Sequence, residues 1–182
     1  MKLSEMLQRL EYTCVQGNVD VEIHALVMDS RKVETGDVFV CISGATVDAH
    51  TFLPAVVAAG ATAVVVEKEV EVPEHVTVIR VENTRLALAE LSAAWFGYPA
   101  EQMVTIGLTG TKGKTTTSHM VKRILEAAGH KVGLIGTNGA VIGDVLHPTK
   151  NTTPESFEVQ RLFREMVDAG CSHMVMEVSS QG

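Results

Sequence analysis

Seven consecutive residues, Gly110-Thr111-Lys112-Gly113-Lys114-Thr115-Thr116, have the types and spacing that can cradle a phosphate chain. Glycines let backbone N–H groups curl around an anion without Cβ clashes. A helix starting here would add its positive dipole end. Lys114 is placed to reach β- and γ-phosphates as the catalytic cation, and the Thr115 hydroxyl can hold Mg²⁺. The loop is short. A generic phosphate loop wants glycine five residues before Gly113, where this chain has Leu108, with Gly107 one place too early. The plain alternative is a glycine turn with no ligand, but packing alone does not call for Gly-Lys-Thr at this point.

Other residues could serve the same chemistry. Glu177 ends an apolar run, where an acid can hold Mg²⁺ opposite Thr115, directly or through water, or stand as a solvated carboxylate. Asn151-Thr152-Thr153 precedes a helical pattern. Thr153 is expected to cap that helix, with a ligand contact in addition. Ser179 and Ser180 are turn residues or ligand hydrogen bonders. Lys112 has no separate role, and His119 is read as structural. On physics alone, residues 29–31 and 44–48 are polar turns.

These residues need a frame. The run 103–108 reads as a buried strand entering the loop. Met120, Val121, Ile124, Leu125 and Ala128 predict the buried stripe of the following helix, which stops at Gly129. A strand over 131–136, a small hairpin over 137–147, a helix after Pro154 ending at Gly170 and a strand over 173–178 complete this half. The first half predicts a short helix (Leu3, Met6, Leu7, Leu10) capped by Ser4, and strands over 21–28, 38–42, 61–66 and 76–81. It also predicts a helix capped by Thr51 and a third capped by Asn83 that runs to Phe96. Gly97-Tyr98-Pro99 breaks the pattern and sets the expected boundary between domains 1–98 and 99–182. The class is α/β, with a small first domain and a second, incomplete phosphate-loop domain on a mostly parallel sheet.

Composition excludes several classes. With 46% hydrophobic and 4% aromatic residues the cores are aliphatic, and a net charge of −7 with no basic run argues against nucleic acid. Cys14, Cys41 and Cys171 are odd in number and widely spaced, so buried free thiols are expected rather than a disulfide framework or zinc site. The charged N-terminus is not a signal peptide, and no run approaches the roughly 18 apolar residues of a membrane span. A cytoplasmic protein without membrane insertion is expected.

Taken together, these residues resemble the Mur ligases of bacterial peptidoglycan synthesis along essentially the whole chain. Within that family they are most similar to the members that add the third amino acid. The segments that carry the resemblance are 110–116, Asp29-Ser30-Arg31 with 36–40, Gly44 with Asp48, 60–63, Asn151-Thr152-Thr153-Pro154 and Met176-Glu177-Val178-Ser179-Ser180. Family loops often have Asn where Lys112 stands, and Gln181-Gly182 replaces a commoner His. The resemblance implies a uridine-binding first domain in which Met28, Ser30, Ala45, Thr46 and Val47 contact the substrate. It implies that residues 110–116 hold ATP, that Thr115 and Glu177 hold Mg²⁺, and that Asn151, Thr152, Thr153 and Ser179 contact the muramoyl-dipeptide. The implied partners are UDP-N-acetylmuramoyl-L-alanyl-D-glutamate and a free amino acid, diaminopimelate or lysine, on a protein expected to be monomeric. The family's carbamylated lysine and amino-acid-binding domain are expected beyond Gly182, so residues 1–182 alone are expected not to catalyse ligation.

Three other readings compete. A folylpolyglutamate-synthase-like ligase would carry its loop near the N-terminus, unlike this chain. A GTPase needs guanine-reading motifs, which are not seen here. A regulatory UDP-sugar-binding module would share the first domain without the catalysis.

Overall fold

Two α/β units make up the computed structural model, which describes residues 1–44 and 47–180. Contacts divide the chain between Trp95 and Phe96. Just past that point Gly97 and Tyr98 both adopt left-handed backbone, with φ of 72° and 51°.

The first unit starts with α1 (Leu3–Met6). Ser4 lies inside this helix rather than capping it; Glu5 accepts the Lys2 N–H instead, at 2.8 Å. Next come β1 (Thr13–Gln16), β2 (Leu26–Val27), β3 (Val38–Val40), α2 (Leu53–Ala58), β4 (Ala63–Val66), β5 (Thr77–Arg80) and α3 (Thr84–Trp95). The sheet order is β1-β5-β4-β3-β2. Strands β2 to β5 are parallel, and β1 pairs antiparallel with β5. The strand expected over 21–28 shrinks to two residues. The sequence reading missed β1, a short and largely exposed edge strand with no alternation to betray it. Asn83 caps α3 as expected, accepting from the N–H groups of Arg85 and Leu86. Thr51 does not cap α2. Its hydroxyl donates to the Asp48 carbonyl, and the Asp48 carboxylate caps a 3-10 turn over Ala49–Phe52.

Continuous apolar runs make buried parallel strands. Phe39, Val64, Val66 and Val78 pack with Leu53 and Val56 of α2 on one face. Val38, Val40, Val65 and Ile79 alternate to the other, where α3 covers β2 and β4.

The second unit runs β6 (Val104–Leu108), α4 (Lys114–Ala127), β7 (Val132–Gly136), β8 (Gly139–Ile142), β9 (Val145–His147), α5 (Ser156–Asp168) and β10 (His173–Glu177). Its order is β6-β10-β7-β8-β9, with β6, β10 and β7 parallel. The expected hairpin extends the main sheet, because β8 pairs antiparallel with both β7 and β9. Helix α5 covers one face through Leu162, Phe163 and Met166, and α4 lies against β6, β7 and β10.

Two expectations fail here. The strand entering the loop is an edge strand and largely exposed, with Val104 at 54%. The apolar stripe of α4 is not buried: Met120 and Ile124 are 59% and 66% exposed, while Ser118 and Lys122 face inward. Spacing identifies an apolar face but not what lies against it. Cys41 and Cys171 are buried free thiols as expected, but Cys14 is exposed. No helix among the described residues is long and apolar enough to cross a membrane.

Candidate functional site

Parallel strands in each unit deliver their following loops to one carboxyl edge, where open α/β sheets bind ligands. In the second unit that edge carries the glycine-rich loop after β6, Thr137 after β7 and Ser179 after β10. Gly113 takes φ of 82° at the N-cap of α4, a left-handed conformation that favours glycine. Lys114 folds back so that its Nζ donates to the Gly110 carbonyl at 2.7 Å. Gly110, Thr111, Lys112 and Thr116 are exposed, and Lys114 and Thr115 are half-buried.

Glu177 is the centre of the site. It is 1% exposed although it ends a strand. Its Oε2 accepts from the Thr115 hydroxyl at 2.9 Å and from the Thr137 hydroxyl at 3.2 Å, and Oε1 accepts the Thr137 N–H at 3.2 Å. All three donors are neutral. A buried carboxylate held by neutral donors is short of positive charge, and hard oxygen donors suit Mg²⁺. The residues present therefore fit a divalent cation, with Thr115 and Glu177 as its protein oxygens.

Residues 151–153 lie beside this carboxylate. Thr152 Oγ1 is 3.2 Å from Thr137 Oγ1. Thr153 does not cap α5, whose N-cap is Glu155 with no side-chain capping bond. Its hydroxyl instead donates to the Glu177 carbonyl at 2.9 Å and accepts from the Ser179 N–H and hydroxyl at 2.9 and 3.1 Å. That one hydroxyl ties the segment before α5 to the end of β10. Asn151 is exposed, and its carbonyl accepts from Thr149. The structure thus gathers Thr115, Thr152, Thr153, Glu177 and Ser179 into one network. The sequence reading missed Thr137. The available signal was its position, first after a buried strand at the edge where Glu177 ends.

In the first unit, Met28 and Ser30 follow β2 and are half-buried, and Val47 lies in the loop after β3 and is 52% exposed. Because β2 and β3 are parallel neighbours, both loops leave the same sheet edge. Ala45 and Thr46 fall outside the described residues. Ser30 opens a 3-10 turn capped by Asp29, whose carboxyl is held well below the usual carboxylate range by hydrogen bonds from Arg31. Asp48, just beyond Val47, is braced by charge. Asp48 accepts from Lys68 Nζ and pairs with His50 Nδ1, both at 2.5 Å, and these two partners hold its carboxyl far below the ordinary range. His50 Nε2 accepts the Glu67 N–H at 3.2 Å, which puts the ring proton on Nδ1. Burial alone would raise the Glu67 carboxyl; bonds from the Thr84 N–H and hydroxyl and from Ser43 overcome it and lower it.

Comparison with known proteins follows the same division. The family described as Mur ligase family, catalytic domain, matches residues 22–96, and Mur ligase middle domain matches residues 108–182. A UDP-N-acetylmuramoyl-L-alanyl-D-glutamate--2,6-diaminopimelate ligase of Clostridium perfringens is 44% identical over 99% of this chain and 37% of its own length. The enzyme of the same name from Bacillus licheniformis is 48% identical, again over 99% of this chain and 37% of its own. A solved structure of a ligase of that name superimposes with a TM-score of 0.79 at 25% identity, covering all of this chain and 36% of that one. The chain therefore spans just over a third of the length of these relatives.

Proposed function

The chain belongs to the Mur ligase family, and from that premise we propose that the protein carrying it is an ATP-dependent ligase of peptidoglycan synthesis. It would join an amino acid to UDP-N-acetylmuramoyl-L-alanyl-D-glutamate. The names of the similar relatives favour diaminopimelate over lysine as that amino acid. The observation that carries the reading is the buried Glu177 carboxylate, bonded to Thr115 at the mouth of a short phosphate loop.

The proposed roles are those the family resemblance implies. Residues 1–98 hold the UDP part of the substrate, with Met28, Ser30, Ala45, Thr46 and Val47 in contact. Residues 99–182 form the first part of the ATP-binding domain. Gly110 to Thr116 wrap the triphosphate, and Lys114 turns from the Gly110 carbonyl to the β- and γ-phosphates. Thr115 and Glu177 hold Mg²⁺, which supplies positive charge to the transferring phosphoryl group. Asn151, Thr152, Thr153 and Ser179 contact the muramoyl-dipeptide.

A carboxylate is a poor electrophile at neutral pH, so it must be activated. A glutamyl carboxylate oxygen attacks the γ-phosphorus and ADP leaves, giving an acyl phosphate. The incoming amine attacks the acyl carbon, the C–O bond to phosphate breaks, and the nitrogen loses its proton. Lys114 and the loop N–H groups offset charge on the phosphoryl oxygens. The proposed protein is a cytoplasmic monomer.

ADP release from the intact protein tests the proposal. It is expected to require both the UDP-muramoyl-dipeptide and diaminopimelate, and Lys114→Ala is expected to slow it by about 100-fold or more. ADP release that ignores the UDP substrate, or a preference for GTP, overturns the reading.

A further inference from the structure

We infer that Thr137 is a positioning residue of this site: it aims the Glu177 carboxylate and couples it to the 151–153 segment. The inference rests on the metal and nucleotide roles proposed above and adds a residue to them.

Thr137 grips both carboxylate oxygens. Its backbone N–H donates to Oε1 and its hydroxyl to Oε2, each at 3.2 Å. The residue before it makes that grip possible. A Cβ at Gly136 would lie 2.1 Å from Glu177 Oε1, so any side chain there would drive the carboxylate off the strand end. With both oxygens tied to one residue the carboxylate plane cannot rotate freely. A pre-aimed ligand binds a cation more tightly than one that must first be ordered.

The Thr137 hydroxyl has capacity to spare. It donates its single proton to Glu177 and has two lone pairs. Thr152 Oγ1 is 3.2 Å away and Thr115 Oγ1 is 3.4 Å away. With the Thr137 proton on Glu177, the Thr152 hydroxyl is the donor of that pair. Thr115 now donates to Glu177. Holding a cation with the same oxygen requires its proton to turn elsewhere, and Thr137 Oγ1 is an acceptor within reach. Thr137 is thus the junction between a threonine proposed to touch the peptide substrate and the two residues proposed to hold Mg²⁺. A shift of Thr152 on substrate binding changes the grip on Glu177.

The experiment is equilibrium titration of the intact protein with β,γ-imido-ATP at a series of Mg²⁺ concentrations and in EDTA, with melting curves alongside. Thr137→Val keeps the N–H and the shape but loses the hydroxyl. It is expected to raise the half-saturating Mg²⁺ about tenfold, or about 1.4 kcal/mol. Nucleotide affinity in EDTA is expected to stay within about twofold, a split that general loosening would not produce. Thr137→Ser, which restores the hydroxyl, is expected to return the midpoint to within about threefold of wild type. Thr152→Val is expected to move the midpoint in the same direction by less. An early-melting Thr137→Val would leave the decision to the Ser and Thr152 variants. A wild-type midpoint in Thr137→Val, or no rescue by serine, overturns the inference while leaving the metal site standing. Nucleotide binding by the wild type that ignores Mg²⁺ overturns the metal site itself, and the inference with it.

Discussion

In the first unit β3 and β4 are buried residue by residue, with helices on both faces. In the second, the strand that delivers the phosphate loop is a largely exposed edge, and the helix after it turns Met120 and Ile124 to solvent. Both sheets have five strands, four of them parallel in the first and three in the second. The charges are arranged the opposite way. Beside the first unit's loop two carboxylates near the surface have cationic partners: Asp48 has Lys68, with His50 alongside, and Asp29 has Arg31. The second unit keeps its key carboxylate buried among neutral donors. The contrast separates a loop braced by charge pairs already in place from a site left deficient in positive charge, the condition a divalent cation would relieve.

The largest test of this contrast is packing. Phe39 is fully buried in the first core, and Phe39→Ala is expected to cost about 3–5 kcal/mol. Ile124→Ala, at a site 66% exposed, is expected to stay within about 0.5 kcal/mol. Urea unfolding of the 182-residue chain measures both. Trp95, the one tryptophan, lies at the end of the first unit and reports on Phe39→Ala, while circular dichroism reports on Ile124→Ala. Comparable losses at the two positions would mean that the α4 face is covered in solution.

A smaller effect has the opposite sign. Glu177→Gln removes a buried charge and keeps an acceptor for the Thr137 N–H. Its new amide N–H groups can be taken by the Thr115 and Thr137 hydroxyls. Replacing an uncompensated buried charge is neutral or stabilising. The variant is expected to melt no lower than wild type, by calorimetry, while losing Mg²⁺-dependent nucleotide binding. A clear fall in melting temperature would mean that the carboxylate is already compensated in the folded chain.

What could be read in advance follows the same division. The turn between β6 and α4 was legible because its glycines and the helix start are contiguous in the chain. The place of Glu177 at a strand end, opposite Thr115, was legible because that end is a fixed place in the topology. Buried strands such as 38–40 and 63–66 announce themselves as apolar runs. Thr137 was not legible, since its role depends on β10 being inserted between β6 and β7, a pairing order the sequence does not display. Thr153 looked like a cap because it precedes Pro154. Its hydroxyl instead satisfies the Glu177 carbonyl and the Ser179 N–H, where a tertiary partner outcompetes the local one. The stripe on α4 has helical spacing, but spacing carries no information about which neighbours are present.

The finest test concerns the braced loop. Asp48 is held below its ordinary value chiefly by Lys68 and then by His50. A carboxylate lowered in the folded state adds stability above its unfolded pKa, and that contribution fades as pH falls through the folded value. Asp48→Asn removes the charge but can still accept from His50 Nδ1–H. Because Asp48 is solvent-accessible, the expected loss near pH 7 is modest. The gap between variant and wild type is expected to begin narrowing below about pH 4, where the unfolded wild-type chain takes up a proton that the folded carboxylate still resists. Urea midpoints followed by Trp95 fluorescence from pH 7 to pH 2 would show it. A gap that stays constant to the lowest pH would assign the loop's bracing to shape and neutral hydrogen bonds. The charge contrast between the two units would then rest on Glu177 alone.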